Sequence, residues 1–458
     1  MNLGARSHIV EKVPRHLFDN VRRPAGIVDM TILWAEHAWL PDGVAPGVRI
    51  EVADGRFTAV TAGAAREGTV LSGLVLPGFA NAHSHAFHRA LRGRTQHDHG
   101  TFWTWRERMY ELAERLDPDS YHRLARGVYA EMVLAGYTAV GEFHYLHHAP
   151  GGRRYADPNA MGHALARAAQ DAGIRLTLLD TCYLTGGFGQ ELSGVQLRFG
   201  DGDVAAWAAR VEAVQPGTAL SGAAVHSVRA VPAGQLPFFA DWDGPLHVHL
   251  SEQRAENDDC RTHHRCTPTE LLDRAGVLGP RTVAVHGTHL SAVDIDLLAR
   301  SGAGVCFCPT TERDLGDGIG EARRLANAGI ALCLGSDSQA VIDPFDELRA
   351  LELHERLASE ERGRFGMAEL VAAATRHPAI GRDAGRMAAG APADLVVVAL
   401  DSVRTAGTEP AEAPFAASAA DVTDVLIGGR WIVRDRVHQL IDRPAASLAD
   451  EVEALWRS

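Results

Sequence analysis

The segment LPGFANAHSHAFHRAL (76–91) ends a short apolar run in His83 and His85, with His88 three positions on. Side chains on a strand repeat their direction every second residue, so His83 and His85 would share one face while Ser84 points away. Two imidazoles on one face can hold a metal ion, although in a chain with 23 histidines the pair alone reads equally well as structural. The same residue types recur where other apolar runs end. Glu142, His144 and Tyr145 follow one run, His226 closes another, and HVHLSE sets out His247, His249 and Glu252; His286 and Asp337 close two more. A catalytic zinc takes three or four nitrogen and oxygen ligands and keeps a position for water, whose pKa falls to about 7. His83, His85 and His249 would supply three imidazoles, and Asp337 a carboxylate able to bind metal and to accept the water's proton. His286 would hydrogen-bond the hydroxide, and Glu252 would carry a proton to a departing nitrogen.

These residues need a scaffold that brings many strand ends to one place. The apolar runs GFANAHSH, TAVGEFH, IRLTLLDTC, SGAAVHS, PLHVHL, TVAVHG, AGVCFCP and IALCLGSD alternate with amphipathic stretches such as SYHRLARGVYAEMVLAGY. Eight such alternations predict an α/β chain folded as a parallel (β/α)8 barrel of the TIM type, whose active site lies at the C-terminal strand ends. No G-x-G-x-x-G follows a strand, so nothing favours an open dinucleotide-binding sheet. Short strands with Pro/Gly turns occupy both ends of the chain, including hairpins at Asp54-Gly55 and Gly428-Gly429. The expected organisation is an extension over 1–29, poorly ordered, a small β-sandwich domain composed of 30–76 and 385–458, and a catalytic barrel over 77–384.

Bulk properties narrow the functional classes. The chain has 458 residues, 46% hydrophobic and 22% charged, with a net charge of −13. That charge argues against a nucleic-acid partner, which needs a basic face. No run approaches the ~20 apolar residues of a membrane span. The first 29 residues are charged throughout and lack the apolar core of a secretory signal. Six cysteines at no framework spacing suit a reducing cytoplasm. The single lysine, Lys12, lies in the extension. A carboxylated lysine therefore cannot bridge two metals in the barrel, and the site should be mononuclear.

The strand-end segments LPGFANAHSHAFHRAL, HVHLSEQ, VAVHGTHL and LGSDSQ resemble the signature strands of the amidohydrolase superfamily, and GAPADLVVV is similar to its re-entry into the small β domain. TFWTWRERMYEL, GEFHYLHH, VHSVRAVP and CPTTERDLGDG are similar to a narrower group, the formimidoylglutamate deiminases of histidine breakdown. The resemblance covers roughly residues 30–440 and implies one zinc ion per chain, a cytoplasmic homodimer, and a small dicarboxylate amidine substrate. It implies conversion of N-formimidoyl-L-glutamate and water to N-formyl-L-glutamate and ammonia. Two substrate carboxylates call for arginine forks. The resemblance places such contacts at Arg106 and Arg229, with Tyr145 and His226 as neutral partners and His88 where the family has glutamine. Imidazole replaces one amide hydrogen bond but not both functions of the amide.

Three other readings compete. Deamination of guanine or a related N-heterocycle would leave two buried guanidiniums unpaired. A catalytically silent barrel acting as an interaction protein would not need every metal and proton-transfer position filled. A metal-free lyase or isomerase gives no reason for H-x-H. Trp103 and Trp105 read as packing residues. Cys260 and Cys266 in CRTHHRC read as part of an exposed loop, at a spacing that matches no usual zinc knuckle.

Overall fold

The computed structural model describes residues 30–95, 100–214 and 217–457. The extension over 1–29 lies outside the described residues. Strands β1 (Thr31–Leu40), β2 (Gly43–Ala53), β3 (Arg56–Thr61) and β4 (Thr69–Pro77) form the N-terminal part of the β unit. The barrel strands follow: β5 (Phe79–Ser84), β6 (Tyr137–His144), β7 (Arg175–Cys182), β8 (Leu220–Val225), β9 (Leu246–Leu250), β10 (Thr282–His286), β11 (Gly304–Phe307) and β12 (Leu332–Leu334). They are the eight apolar runs read from the sequence. The chain then returns to the β unit as β13 (Leu395–Val398), β14 (Val422–Ile427), β15 (Arg430–Arg434) and β16 (Val437–His438).

Strands β5 to β12 pair in sequence order, all parallel, and a parallel bridge between Ser84 and Asp337 joins the last strand end to the first. Every residue of β6 and β9 is buried, as expected where helices cover one face and the barrel interior the other. Small side chains fill that interior: Ala82, Ala139, Val285, Cys306, Cys308 and Cys333 pack together there. Their size lets the ring close without overpacking and leaves room for imidazoles above them.

The β unit is a single hydrogen-bonded sheet in the order β16-β15-β14-β13-β4-β1-β2-β3. Its two chain segments meet where β4 pairs antiparallel with β13, from Leu395 opposite Pro77 to Val398 opposite Leu74. Leu33, Val48, Ile50, Leu395, Val397 and Leu426 form its core. One turn at Gly78 separates β4 from β5, so the strand that seals the β unit leads directly into the strand that ends in H-S-H.

Residues 444–457, grouped with the β unit in the sequence reading, instead form a helix that packs on the barrel. Gly127 admits it, since a Cβ there would stand 2.9 Å from Leu448 Cβ. Arg123 donates to Glu451 at 2.6 Å, and the Trp456 indole donates to the Ala90 carbonyl at 2.8 Å. The amphipathic spacing of Leu448 and Leu455 explains the docking, with both side chains buried against the barrel helices. The helix thereby braces the turn Ala86–Leu91, which carries His88.

Candidate active site

The C-terminal strand ends surround a cavity. His85, His88, Arg106, Tyr145, His226, Arg229, His249, Glu252, His286 and Asp337 line it, and His83 lies beneath, fully buried. The residues expected to act together therefore meet in one place.

The local fold aims the metal-binding groups. The H-S-H turn sets His83 and His85 on one side and sends Ser84 to the other. There Ser84 donates to the Glu142 carboxylate at 2.7 Å, and the Ala86 amide donates to the same carboxylate at 2.6 Å. Ser84 also accepts from Gln339 at 2.9 Å, Gln339 accepts from Ser336 at 2.7 Å, and Ser336 accepts from Asn81 at 2.6 Å. This buried chain ties β5 to the segment after β12 and fixes Asp337 relative to His83. Burial pushes the Glu142 carboxyl up to about 8.

The imidazole Nδ1 atoms of His85 and His249 face the carbonyl oxygens of Phe143 and His226, each at 2.9 Å. A carbonyl only accepts, so both rings carry the proton on Nδ1 and present the Nε2 lone pair inward. The Nε2 atoms of His83 and His249 stand 3.2 Å apart. Asp337 Oδ1 lies 3.3 Å from His83 Nε2 and 3.4 Å from His85 Nε2. Zinc–nitrogen bonds of 2.0–2.1 Å at tetrahedral angles separate neighbouring ligand atoms by about 3.3 Å. Facing lone pairs at that spacing repel one another unless a cation lies between them, so the donor set fits a metal ion. Burial raises the Asp337 carboxyl, but the hydrogen bond and charge of His83, with His286 and His85, hold it well below the usual carboxylate range.

His286 and Glu252 stand beside that centre. His286 Nε2 is 3.8 Å from Glu252 Oε1 and 3.7 Å from Asp337 Oδ2. Its Nδ1 donates to Glu312 at 3.3 Å, and Glu312 also accepts from the Cys308 amide at 2.9 Å. Burial lowers the His286 imidazole, but the charge of Glu252 and the hydrogen bond to Glu312 push it up to about 10. Burial also raises the Glu252 carboxyl. His286, with φ 71°, and Asp337, with φ 41°, both adopt left-handed backbone conformations at their strand ends. Strained backbone of this kind persists where surrounding structure fixes a functional geometry.

Across the cavity, neither Arg106 nor Arg229 forms an ion pair with a described residue. The Arg106 guanidinium lies 4.4 Å from the Trp103 ring centroid. Burial lowers the Arg229 guanidinium, and the charges of Glu256 and Glu252 outweigh it and raise it. His88 Nε2 is within 2.9 Å of the Tyr145 hydroxyl, while its Nδ1 is buried without a partner. Burial presses the His88 imidazole down to about 3, so it is a neutral ring. His226 is likewise held neutral by burial and by Arg229.

Several features were missed from sequence. Trp105 packs against the core, as read, but also lines the cavity and meets the His88 ring edge-on at 5.0 Å, whereas Trp103 is 46% exposed. Tyr110, Tyr183 and Phe199 complete the aromatic wall. Glu312 and Asp317 both fall in CPTTERDLGDG, a stretch singled out without roles for its acids. The CRTHHRC segment is not an exposed loop: it completes the helix Arg254–His264, with Cys260 and Cys266 buried. Its histidines turn instead to Phe188, whose ring lies 5.3 Å from His263 and 5.4 Å from His264.

Comparison with known proteins agrees with this geometry. The amidohydrolase family model matches residues 74–432, and the N-terminal domain model of formimidoylglutamate deiminase HutF matches 30–69. Formimidoylglutamate deiminase of Pseudomonas aeruginosa is 38% identical over 91% of this chain and 97% of its own length. An amidohydrolase of Brucella melitensis superposes with a TM-score of 0.84, at 32% identity over 93% of this chain and all of that one. An adenosine deaminase of Xanthomonas campestris solved with bound zinc shares the fold, with a TM-score of 0.78 at 23% identity, over 93% of this chain and 98% of that one. The chain belongs to the amidohydrolase family and, within it, to the formimidoylglutamate deiminase group.

Proposed function

We propose that this protein hydrolyses N-formimidoyl-L-glutamate to N-formyl-L-glutamate and ammonia, with one zinc ion per chain held by His83, His85, His249 and Asp337. The observation that carries the reading is the pair of guanidiniums, Arg106 and Arg229, facing the histidine–carboxylate centre across one cavity without ion-pair partners among the described residues. A dicarboxylate substrate satisfies both, and a neutral heterocycle such as guanine satisfies neither.

A zinc ion held by His83, His85, His249 and Asp337 would supply a water acidic enough to react near neutral pH and would polarise the reacting group. Arg106 and Arg229 clamp the substrate carboxylates, and the neutral His226 and the Tyr145 hydroxyl add hydrogen bonds. Asp337 takes the proton from the attacking water. His286, kept protonated between Glu312 and Glu252, donates to the attacking oxygen. Glu252, three residues beyond His249, delivers the proton to the departing nitrogen, and ammonia leaves. His88 supports Tyr145 and contributes the ring that distinguishes this pocket from one built with glutamine. The chain works as a cytoplasmic homodimer in this reading, as the family resemblance implies.

Ammonia release from purified protein decides the matter, measured with N-formimidoyl-L-glutamate, N-formimidoylglycine and guanine, with metal content assayed on the same sample. Rapid release from the glutamate compound alone, at about one zinc per chain, is the expected result. A zinc-loaded protein inert on it would move the substrate assignment to a different amidine and point to His88 as the cause.

A further inference from the structure

Asp317 stands beside the acid–base pair and belongs to the lining of a second cavity. Asp317 does not line the catalytic cavity, yet one of its carboxylate oxygens, one from Glu252 and a His286 nitrogen all lie within 4.8 Å of one another. The second cavity is more open and is lined also by Asn257, Asp258, Thr288, Ser291 and Glu321. Arg254 and Arg261 stand at that cavity too, so it is mixed in charge rather than uniformly acidic.

Three oxygens in this wall are buried without partners: Asp317 Oδ2, Asn257 Oδ1 and Thr288 Oγ1. The residues carrying them are 5%, 4% and 6% exposed. The Asp317 and Asn257 side chains are held in place by their other contacts. Gln253 donates to Asp317 Oδ1, Asn257 donates to the His289 carbonyl at 2.7 Å, and the Asp317 amide donates to the Glu312 carbonyl at 2.9 Å. Gly318, at φ 122°, brings the chain past Thr288. Buried acceptors without donors cost stability, so a wall of them calls for a small donor-rich species.

The proposed reaction makes one. Hydrolysis of a protonated amidine gives H2N⁺=CH–NHR + H2O → OHC–NHR + NH4⁺, and the ammonium ion carries four N–H donors and one positive charge. The mouth of the catalytic cavity carries Arg106 and Arg229, which repel a cation and hold the formyl product in the way. The opposite wall carries Glu252, Glu312 and Asp317 around the single protonated ring of His286, and that surplus of acidic groups attracts it.

We propose that Asp317, Asn257 and Thr288 form a binding site for the departing ammonium ion, through which it leaves by the second cavity. This rests on the deiminase reading above. Asp317 receives the ion from Glu252, and the two neutral oxygens replace its water as it moves outward. Burial and the neighbouring Glu252 charge push the Asp317 carboxyl up to about 9 against the charge of His286, so the carboxyl gives up its proton as the ammonium ion seats beside it.

Product inhibition of the zinc-loaded enzyme tests the site, with ammonium chloride compared with sodium chloride at equal ionic strength. Selective inhibition of the wild type by ammonium is expected, and D317N should raise the ammonium inhibition constant at least tenfold, with D317E recovering most of it. Should D317N fail to fold, T288V removes one ligand at nearly constant volume and should raise the constant about threefold. Wild-type crystals soaked in thallous ion, close to ammonium in size, should show anomalous density between Asp317 and Glu252. Ammonium inhibition no stronger than that of sodium, an inhibition constant unmoved in D317N, or thallous density absent from this wall would each overturn the site. A lower kcat in D317N with an unmoved inhibition constant would overturn it as well, by showing that Asp317 only positions Gln253. Failure of the wild type to deiminate N-formimidoyl-L-glutamate would instead overturn the substrate reading, and the thallous soak would still decide whether this wall binds a monovalent cation.

Discussion

His144, the last residue of β6, and His147, three residues on, meet Asp180 of β7 with their ligand atoms within 4.8 Å, the same limit that holds those of His83, His85 and His249. Both groups are buried at C-terminal strand ends, the first on the neighbouring strands β6 and β7 and the second on β5 and β9 across the barrel. In the first group, however, the place of a cation is already filled. Arg210 donates to both oxygens of Asp180 at 2.8 Å and pairs with Asp201 at 2.9 Å. Trp207 donates to Asp180 at 3.0 Å, His147 Nε2 donates to the Thr181 carbonyl at 2.9 Å, and His148 lies 3.1 Å from Asp201. His144 Nδ1 and His147 Nδ1 are buried there without partners, but the Asp180 carboxylate beside them is already paired with a guanidinium. In the second group the rings of His85 and His249 donate outward through Nδ1, and Nε2 and Oδ1 atoms converge with no cationic side chain among them. Histidine nitrogens and an aspartate oxygen come together in both places. The charge already present closes one as a polar network, and the converging donors leave the other fit for a metal ion.

Substitutions separate the two groups most sharply at their histidines. His249→Ala should lower kcat/KM at least 10⁴-fold, about 5.5 kcal/mol, and reduce zinc to below about 0.1 per chain. His147→Ala should leave about one zinc per chain. Elemental analysis beside ammonia assays reads both, and two zinc ions per wild-type chain would break the comparison. Arg210→Met removes the cation from the closed network and leaves two buried carboxylates uncompensated. A loss of about 3–5 kcal/mol in denaturant unfolding is expected, with zinc content unchanged in the folded fraction. A neutral outcome would mean that Asp180 and Asp201 find protons or water without strain.

The same contrast shows what the sequence could disclose. The eight barrel strands were legible because each is a short apolar run between amphipathic helices, and a polar residue at a strand end has no packing reason to recur at five of them. His83, His85, His249, Glu252, His286 and Asp337 could be placed for that reason. His144 carries the same signal and is not a ligand, because Arg210 arrives from a helix more than sixty residues later and nothing local announces the pairing. Glu312 was hidden similarly: its partner His286 is 26 positions away, and an acid in a helix's first turn ordinarily reads as a response to the helix dipole. Trp105 packs against the core, as read, and also lines the cavity, which the sequence does not announce. Residues 444–457 were grouped with the β unit by their place in the chain, which does not show that they form a helix or against what it packs.

Within the catalytic group, smaller effects test how its parts divide the work. Arg229→Met should raise KM for N-formimidoyl-L-glutamate about 100-fold, near 2.7 kcal/mol, while kcat changes by less than about threefold. A fall in kcat with KM unmoved would place Arg229 in the chemistry instead of in carboxylate binding. Glu312→Gln keeps an acceptor for His286 Nδ1 but removes the charge that helps hold the ring protonated. A tenfold fall in kcat is expected, about 1.4 kcal/mol, and the basic limb of the pH–rate profile should move to lower pH. An unchanged profile would assign the ring's protonation to Glu252 alone.

The smallest expected effect returns to the closed network, and it depends on pH. Burial, followed by the charge of Arg210, lowers the His147 imidazole to about 4 from an ordinary value of 6.5. Between those values the unfolded chain binds a proton there that the folded protein refuses, so stability falls as the pH drops below about 6.5 and the loss is complete below about 4. From pH 7 to pH 5.5 this one group should cost about 1.2 kcal/mol. His147→Gln keeps a donor for the Thr181 carbonyl and cannot titrate, so its stability should fall less steeply than the wild type's over that interval. Urea unfolding of both proteins at the two pH values measures the difference. Parallel curves would mean that His147 is protonated in the fold and paired with Asp180, 3.8 Å away. The network would then hold one positive charge more than Arg210 supplies, and its resistance to metal would rest on charge even more than on geometry.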